Sequence, residues 1–201
     1  MGLDIAHGII WLGGIALLVA RFSKTDWLDL GLELLVSDRA GVIRIDKLCA
    51  HAARTKGSFY HHFKDRDAFV SELMTYWEDQ MTQKVIDKTQ RIQDPIGRIL
   101  TLNKLASGLD AELERALRRW AGSEPLVEAG VARVDKRRVE YLARLWQDAK
   151  DITSQQAIDL AVMDYATMVG FQQFYVDVSH ERRARIDKYY GQLMESLPDR
   201  A

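Results

Sequence analysis

The spacing of apolar residues most restricts the fold of this chain. After Asp65, large apolar side chains recur at every fourth position, which places them on one face of a helix; they are Phe69, Leu73, Trp77, Met81 and Val85. Helical spacing continues from residue 23 almost to the end, and no segment there alternates apolar and polar residues for long enough to form a strand. Three prolines and 13 glycines in 201 residues also disfavour an all-β protein. The sequence therefore predicts an all-α fold of about nine helices.

Capping residues divide the chain into short helices followed by longer ones. Side chains that favour the N-cap position precede most of the predicted helices; they are Ser23 or Thr25, Thr55, Asp65, Asp94, Asp110, Ser123, Ser154 and Ser179. Three short helices are predicted before residue 65 and longer ones after it. We therefore predict a small three-helix module over residues 23–66, joined to a larger helical body over residues 67–201.

An apolar N-terminal extension, residues 1–22, precedes this organisation. Residues 5–20 carry no charge and are flanked by Asp4 and Arg21. These sixteen residues fall short of the roughly 20 that span a membrane, and no basic residue precedes them as in a secretory signal. Three interpretations stay open: a dispensable extension, a helix packed on the body or on a partner, and a membrane anchor. Membrane contact is expected only through residues 5–20, if at all.

Charge and cysteine content exclude several classes of function. The net charge is −1, so a nucleic-acid site must be a local patch rather than a property of the whole surface. The single cysteine, Cys49, forms neither an intrachain disulfide nor a cysteine zinc cage, which is typical of a cytoplasmic protein. We find no nucleophile triad, paired carboxylates, metal-ligand spacing or phosphate loop. Neither catalysis nor a cofactor or metal is predicted.

Basic residues concentrate in the N-terminal module. Between residues 44 and 66, six basic side chains accompany two acidic ones; the basic ones are Arg44, Lys47, Arg54, Lys56, Lys64 and Arg66. The third predicted helix, residues 55–63, turns Phe59 and Phe63 towards the core and leaves its other face to solvent. A basic stripe of this kind indicates either a solvated surface or a site for an anionic partner.

The second and third predicted helices are separated by a short turn, as in a helix-turn-helix, whose second helix enters the major groove of DNA. Lys56, Tyr60 and Lys64 recur at every fourth position and form one stripe, with His61 beside it. Gly57 lacks a Cβ atom and would let a DNA backbone approach closely. The spacing therefore predicts a DNA-facing third helix.

The segment that begins at Thr55 resembles the signature of the tetracycline-repressor (TetR) family of bacterial one-component regulators. It reads TKGSFYHHFKDRDAF, and the family pattern is Ser/Thr, Lys/Arg, Gly, Ser/Thr, aromatic, Tyr, any residue, His/Tyr and Phe, followed by a polar cap. The resemblance covers residues 23–77 by motif and, beyond them, only the order and length of the helices. It implies a DNA-binding surface formed by Arg44, Arg54, Thr55, Lys56, Gly57, Ser58, Tyr60, His61 and Lys64.

Two positions depart from the family pattern. Arg44 stands where the family has a Ser or Thr cap on the second helix, and a lost cap costs about 0.5–2 kcal/mol. Ala53 and Arg54 replace the usual Gly-Val of the turn, and a non-glycine residue at positive φ costs about 1 kcal/mol. We expect a less stable module or a slightly different turn, although Arg54 would also be able to contact a phosphate.

The resemblance further implies a ligand cavity and a homodimer interface in the body. Large aromatic and methionine side chains are candidates for the cavity wall, with plain core packing as their alternative role; they are Trp77, Met81, Trp120, Tyr141, Trp146, Met163 and Phe171. Candidates for an interface between the last two helices of each protomer are Ala161, Met168, Phe174, Ile186, Tyr190 and Leu193. Because few fixed charges lie among the wall candidates, an apolar or aromatic effector is expected.

The leading functional hypothesis is a transcriptional regulator, in its simplest form a repressor. A homodimer would bind a palindromic operator on double-stranded DNA, and a small apolar effector in the body would release it. One alternative is a helical ligand-binding or enzymatic bundle without DNA binding, which salt-dependent DNA binding would exclude. Another is a regulator tethered to the membrane through residues 5–20, which membrane fractionation would reveal.

Overall fold

The computed structural model describes residues 3–4, 9–12, 15–18, 22–37, 43–174 and 178–197. From residue 22 onward, these residues are helical or lie in short connections, which confirms the all-α prediction. The α-helices are α1 (Lys24–Ser37), α2 (Ile45–His51), α3 (Lys56–Tyr60), α4 (Arg66–Glu78), α5 (Lys84–Gln90), α6 (Pro95–Ser107), α7 (Ala111–Ala121), α8 (Pro125–Ala149), α9 (Ser154–Phe174) and α10 (His180–Glu195). A π-helical turn, Asp79–Gln83, joins α4 to α5 without a break, so these described residues form nine separate rods.

The described part of the N-terminal extension is a small antiparallel sheet. Its strands are β1 (Leu3–Asp4), β2 (Ile9–Leu12) and β3 (Ile15–Leu18), hydrogen-bonded in the order β1-β2-β3. The helix considered for this segment is therefore wrong for the described residues, and the other residues of the extension lie outside them. The overlooked signal is a Gly-Gly pair between two apolar runs, which is typical of a hairpin. Among the described residues, every helix is too short or too polar to cross a membrane.

Buried side chains form two hydrophobic cores. The first, which we call the N-terminal core, joins α1–α4 to α7 and the first half of α8. Its aromatic rings pack edge to face, with 5.5 Å between the centroids of Trp27 and Phe59 and 4.9 Å between those of Phe63 and Phe69. The predicted boundary between residues 66 and 67 falls inside this core, because body residues such as Leu117 pack against the N-terminal helices.

The second core, which we call the distal core, lies at the other end of α8. It is built by α5, α6, the second half of α8 and α9. Its buried members include Ile86, Tyr141, Leu145, Trp146 and Ala157. The long helix α8 therefore runs through both cores.

Candidate nucleic-acid interface and internal cavity

Helices α2 and α3 form the predicted helix-turn-helix. In the turn between them, the backbone N–H of Arg54 donates to the carbonyl of Cys49 at 2.9 Å. Ala53 adopts a positive φ of 49°, and no other described non-glycine residue has a positive φ. Ala53 occupies the position at which the family pattern has glycine, and it is left-handed although it is not a glycine. This conformation costs the folded state about 1 kcal/mol.

The caps of these helices follow the sequence prediction. Arg44 occupies the N-cap of α2 with extended backbone, but its side chain makes no capping hydrogen bond. Thr55 caps α3, because its Oγ1 accepts from the backbone N–H of Ser58 at 3.3 Å. Asp65 caps α4 by accepting from the N–H of Ala68 at 2.8 Å. The start of α3 is therefore fixed by its own residues, while the start of α2 depends on packing.

Helix α3 presents a short polar face to solvent. Lys56 and His61 are exposed and Tyr60 is 51% exposed, whereas Phe59 is completely buried in the N-terminal core. The ammonium of Lys56 lies 2.6 Å from a carboxylate oxygen of Asp46, and this hydrogen bond raises the pKa of Lys56. An incoming phosphate must therefore compete with Asp46 for this ammonium group.

The third helix is shorter than the predicted span of residues 55–63. It ends at Tyr60, and the chain then turns so that Asp65 can cap α4. Lys64 is exposed in this connection but does not continue the stripe of Lys56 and Tyr60 on α3. The predicted stripe of three residues thus becomes two residues on the helix, with His61 at its C-cap.

The remaining DNA-binding candidates have distinct surroundings. Arg44 is exposed, and the half-buried Arg54 places its guanidinium 5.7 Å from the ring centroid of Phe22. A Cβ atom on Gly57 would meet only the hydroxyl of Thr55, at 3.7 Å. No contact within the described chain therefore requires glycine at this exposed position.

Arg66 has a role that the sequence did not reveal. Its Nε donates to the carbonyl of Ile43 at 3.1 Å, and its Nη2 lies 2.6 Å from a carboxylate oxygen of Glu124. Glu124 is the N-cap residue of α8, so this ion pair ties the helix-turn-helix to the body. The two partners are 58 residues apart, and no local spacing pattern links them.

A cavity of about 590 Å³ lies in the body, beside the distal core. It is enclosed by side chains from the π-helical turn and from α5, α6, α8, α9 and α10. Four of the predicted pocket residues are on its wall: Met81, Tyr141, Trp146 and Phe171. Of the others, Trp77 and Trp120 pack in the N-terminal core, and Met163 is 60% exposed on the outside of α9.

Sequence reasoning missed the contribution of α6 to this wall. Ile96, Ile99, Leu100, Asn103 and Ser107 all line the cavity. They occupy positions i, i+3, i+4, i+7 and i+11, which share one helical face. Leu100 is at the same time 64% exposed. The cavity therefore opens to solvent along α6. The helical spacing marks an apolar face on α6, but it does not show whether that face is packed or lines a cavity.

A buried polar network borders the inner end of the cavity. Arg138, on the cavity wall, has its Nη2 2.8 Å from a carboxylate oxygen of Glu114, and the two side chains are only 10% and 2% exposed. Its Nε donates to the hydroxyl of Thr82 at 2.9 Å, within the π-helical turn. Arg138 thus contacts α7 and the α4–α5 rod at once, and π-helical turns are frequent at functional sites.

A second pair extends this network. Arg118 donates from two nitrogens to the two carboxylate oxygens of Asp135 at 2.9 and 2.8 Å, and the hydroxyl of Tyr165 donates to Asp135 at 2.6 Å. Burial alone would raise the pKa of Asp135, but the bonds from Arg118 and Tyr165 lower it overall. Because Tyr165 also lines the cavity, a molecule bound there would touch this network directly.

Asp164 is the one acidic residue among the described residues that line the cavity. Burial raises its pKa to about 6, opposed by a hydrogen bond from Trp146 Nε1 to its Oδ2 at 2.8 Å. The hydroxyl of Tyr190 donates to Oδ1. Both carboxylate oxygens therefore already accept a hydrogen bond from the protein.

The six candidates for a dimer interface lie in three different environments: the distal core, the cavity wall and the exposed surface. Ala161 is completely buried in the distal core, and Met168, Ile186 and Tyr190 line the cavity. Phe174 and Leu193 are 80% and 64% exposed. With them, α9 and α10 expose further large apolar side chains to solvent, namely Ile158, Val162, Met163 and Tyr189. We call these six exposed residues the α9–α10 apolar face.

Solved structures of other proteins share this all-helical fold. The protein is similar to a TetR-family transcriptional regulator from Syntrophomonas wolfei, with a TM-score of 0.63 and 16% identity, over 86% of this chain and 95% of that one. The TetR-type fold implied by the sequence is therefore confirmed.

Two further structures share the fold. AibR, solved in complex with isovaleryl coenzyme A and operator DNA, matches with a TM-score of 0.61 and 17% identity, over 84% of this chain and 96% of that one. The ketosteroid transcriptional regulator KstR2 of Mycobacterium tuberculosis matches with a TM-score of 0.52 and 15% identity, over 88% and 95% of the two chains. No family sequence profile and no curated protein sequence matches this chain.

Proposed function

We propose that the protein is a TetR-family transcriptional repressor that binds operator DNA and is released from it by a small molecule. The observation that carries the proposal is the combination, in one fold, of an exposed face of α3 that carries Lys56 and Tyr60 with a cavity of about 590 Å³. A cavity of that size suits a drug-sized ligand with a large apolar part. AibR, which shares the fold, was solved with both an acyl-coenzyme A and operator DNA, which supports a role for both sites.

The exposed surface supports α3 as the reading element. Lys56 and Tyr60 occupy successive turns of its outer face, and a Cβ atom at Gly57 would meet only the hydroxyl of Thr55. In a helix-turn-helix, the second helix lies in the major groove and the surrounding basic residues contact phosphates. The residues proposed to contact DNA are Arg44, Arg54, Thr55, Lys56, Gly57, Ser58, Tyr60, His61 and Lys64.

The α9–α10 apolar face supports a homodimer. Six of the ten large apolar side chains that are exposed among the described residues belong to these two helices, and a concentration of exposed apolar side chains marks interaction surfaces. A two-fold dimer through this face would present two copies of α3, and half-sites of a palindromic operator lie about 34–36 Å apart in such complexes. The regulator would act in the cytoplasm, where its DNA is located, and we propose no catalytic role.

The buried network supports communication between the two sites. Arg138 lies on the cavity wall and pairs with Glu114 of α7, which packs with α1 in the N-terminal core. A ligand that moves Arg138 would therefore displace α7 against the helices that hold the helix-turn-helix. Such coupling between sites is typically 1–3 kcal/mol, or about 5–150-fold in DNA affinity.

Selection of bound sequences from random DNA, followed by salt titration, tests the proposal. We expect a palindromic sequence bound by two chains per site, as measured by sedimentation. Lys56→Ala should weaken binding to every sequence and reduce the salt slope by about 0.9 for the lost phosphate contact. Lys136→Ala is the matched control, because Lys136 is an exposed lysine on α8 of the body.

Two results would contradict this function. One is a protein that selects no sequence and binds DNA with the same weak affinity throughout. The other is a Lys56→Ala variant whose affinity and salt slope equal those of the Lys136→Ala control, since the helix that faces DNA would then lie elsewhere.

A further inference from the structure

The four-residue spacing of apolar residues in α4 and α5 does not fit a regular α-helix over its whole length. With about 3.6 residues per turn, each step of four residues advances a side chain by about 40°, so Val85 would point about 160° away from Phe69. Yet Phe69 is completely buried in the N-terminal core, and Val85, only 9% exposed, lines the cavity. The π-helical turn between them, Asp79–Gln83, places an additional residue in one turn and takes up part of this drift. One rod can therefore turn its apolar side chains to both ends of the protein.

Two arginines of α8 hold the two ends of this π-helical turn. Glu78 is the last residue of α4, and its carboxylate oxygens lie 2.8 Å from Arg133 Nε and 2.6 Å from Arg137 Nη1. Arg137 also donates from Nη2 to the side-chain oxygen of Gln83, the last residue of the turn. The turn is therefore fixed to α8 by side chains on both sides of it.

Arg138 holds the middle of the turn from the side of the cavity. Its Nε donates to the hydroxyl of Thr82 at 2.9 Å, and its Nη2 lies 3.5 Å from the backbone carbonyl of Met81. Thr82 is only 3% exposed, and Met81, Thr82 and Arg138 all line the cavity. The bond that holds the turn is therefore part of the cavity wall.

The same arginine reaches the N-terminal core. Its guanidinium lies 5.3 Å from the ring centroid of Trp77, which is completely buried in that core. Because α4 shares the N-terminal core with α1–α3, we expect it to move together with the helix-turn-helix. Sharp bends of helices occur at π-helical turns. The turn is therefore the point at which the α4–α5 rod can bend while the N-terminal core stays packed.

We propose that Thr82 senses the cavity: its bond to Arg138 keeps the α4–α5 rod in the DNA-binding arrangement, and a ligand that displaces Thr82 lets the rod bend at the π-helical turn. The inference rests on the proposed function and names the contact through which the cavity acts. Arg138 keeps its ion pair with Glu114 during this step, so no buried charge loses its partner. After release, only a fraction of molecules holds α3 in the orientation that fits DNA, and the affinity falls by that fraction.

Removal of the Thr82 hydroxyl tests the inference without any ligand. Thr82→Val keeps the shape of the side chain but breaks the bond to Arg138, and we expect it to lower operator affinity by about five- to tenfold. Thr82→Ser keeps the hydroxyl and should restore the affinity. Thr75→Val is the matched control, because Thr75 is exposed on α4 and its hydroxyl donates to the carbonyl of Ser71. This control should bind the operator as the unchanged protein does.

Amide hydrogen exchange without DNA separates this role from a merely structural one. Measured by mass spectrometry, Thr82→Val should exchange faster in the π-helical turn and at the unchanged rate in α9. A general loss of stability would instead raise the exchange of α9 as well, since α9 would then open more often.

Decanol, an apolar ten-carbon alcohol, serves as the probe of an occupied cavity. Its binding is followed by tryptophan fluorescence, because Trp146 lies in the wall. We expect decanol to lower the operator affinity of the unchanged protein and of Thr75→Val by about fivefold or more. It should lower that of Thr82→Val by less than about twofold, because the bond that it would displace is already absent.

Three results overturn the inference. They are an operator affinity of Thr82→Val equal to that of the Thr75→Val control, faster exchange in α9 as well as in the turn, and an equal response of both variants to bound decanol. The comparison without ligand decides the inference whether or not decanol enters the cavity. Each of these results leaves operator selection intact, so it is distinct from failure of the proposed function, in which no operator is selected.

Discussion

The N-terminal core and the distal core use the same helix, α8, but are packed in opposite ways. Aromatic side chains fill the N-terminal core; those that are at least 98% buried include Trp27, Phe59, Phe63, Phe69 and Trp77. The distal core instead borders a cavity of about 590 Å³, and Asp164 and Lys150 form part of the cavity wall. A filled core holds α2 and α3 in one arrangement, whereas an unfilled one leaves room for a ligand and for movement.

Ion pairs as well as apolar contacts link the cavity wall, α7 and the N-terminal helices. Arg138 and Glu114 join the cavity wall to α7, and Arg66 and Glu124 join the helix-turn-helix to the start of α8. Ion pairs have strict geometry and lose their stabilising effect within a small displacement. The proposed coupling would use these pairs, because separating their partners leaves buried charge uncompensated.

A matched pair of leucine substitutions should show the largest difference between the cores. Leu73 is completely buried in the N-terminal core, while Leu142, 8% exposed, faces the cavity. We expect Leu73→Ala to lower the free energy of unfolding by about 3–5 kcal/mol, since it creates a new void in a filled region. Leu142→Ala should cost about 1–2 kcal/mol, because one side of this leucine already lacks packing partners.

Urea unfolding monitored by circular dichroism measures both values. Equal losses for the two variants would mean that the cavity does not relax the packing of the distal core, and the comparison between the cores would fail.

Local sequence signals were sufficient for the helices and for the helix-turn-helix. Caps such as Thr55 and Asp65 act within their own turn, and the positive φ of Ala53 follows from the motif position it occupies. The predicted end of α3 was wrong because the chain must leave the helix before Asp65, which has extended backbone at the N-cap of α4. This requirement overrides the helical spacing of the residues before it. Arg66 was assigned to a basic patch, since its ion pair with Glu124 depends on tertiary structure alone.

The cavity wall was only partly predictable for a related reason. Trp77 and Trp146 both lie on apolar faces with helical spacing. However, Trp77 packs in the N-terminal core and Trp146 lines the cavity. Leu100 and Lys104 look like ordinary surface residues in the sequence. Which apolar face remains unfilled depends on how the helices are arranged, and periodicity does not contain that information.

Two aspartates should give opposite pH dependences of stability in the two regions. Burial raises the pKa of Asp164 to about 6, so the folded protein binds a proton that the unfolded chain releases, and stability falls as the pH rises from about 4 to 6. Hydrogen bonds from Ser23 lower the pKa of Asp26 in α1. Its contribution is present above the unfolded pKa and is lost as the pH falls.

Substitution to asparagine removes each contribution. Relative to the unchanged protein, Asp164→Asn should gain stability between pH 4 and pH 7 by at most about 3 kcal/mol. Asp26→Asn should be less stable than the unchanged protein above the unfolded pKa of aspartate, about 4, and this difference should shrink as the pH falls below that value. Unfolding curves in urea at several pH values measure both differences, and an Asp164→Asn curve parallel to that of the unchanged protein would show that this carboxyl group is solvated rather than held in the cavity wall.

Two glycine substitutions should give the smallest effects and the finest test of packing. A Cβ atom at Gly31 of α1 would lie 2.8 Å from the ring of Phe69 and 3.1 Å from Leu73, whereas none of the described atoms lies within 4 Å of one at Gly191 of α10. Gly31→Ala should therefore destabilise the protein by about 1–3 kcal/mol through overpacking. Gly191→Ala should stabilise it by about 0.5–1 kcal/mol, because alanine is the better helix former and its methyl group meets no obstacle. Thermal unfolding resolves shifts of this size.

A destabilised Gly191→Ala variant would show that a second chain or a bound molecule occupies the space beside α10. Dependence of the destabilisation on protein concentration would tell a protein partner from a ligand.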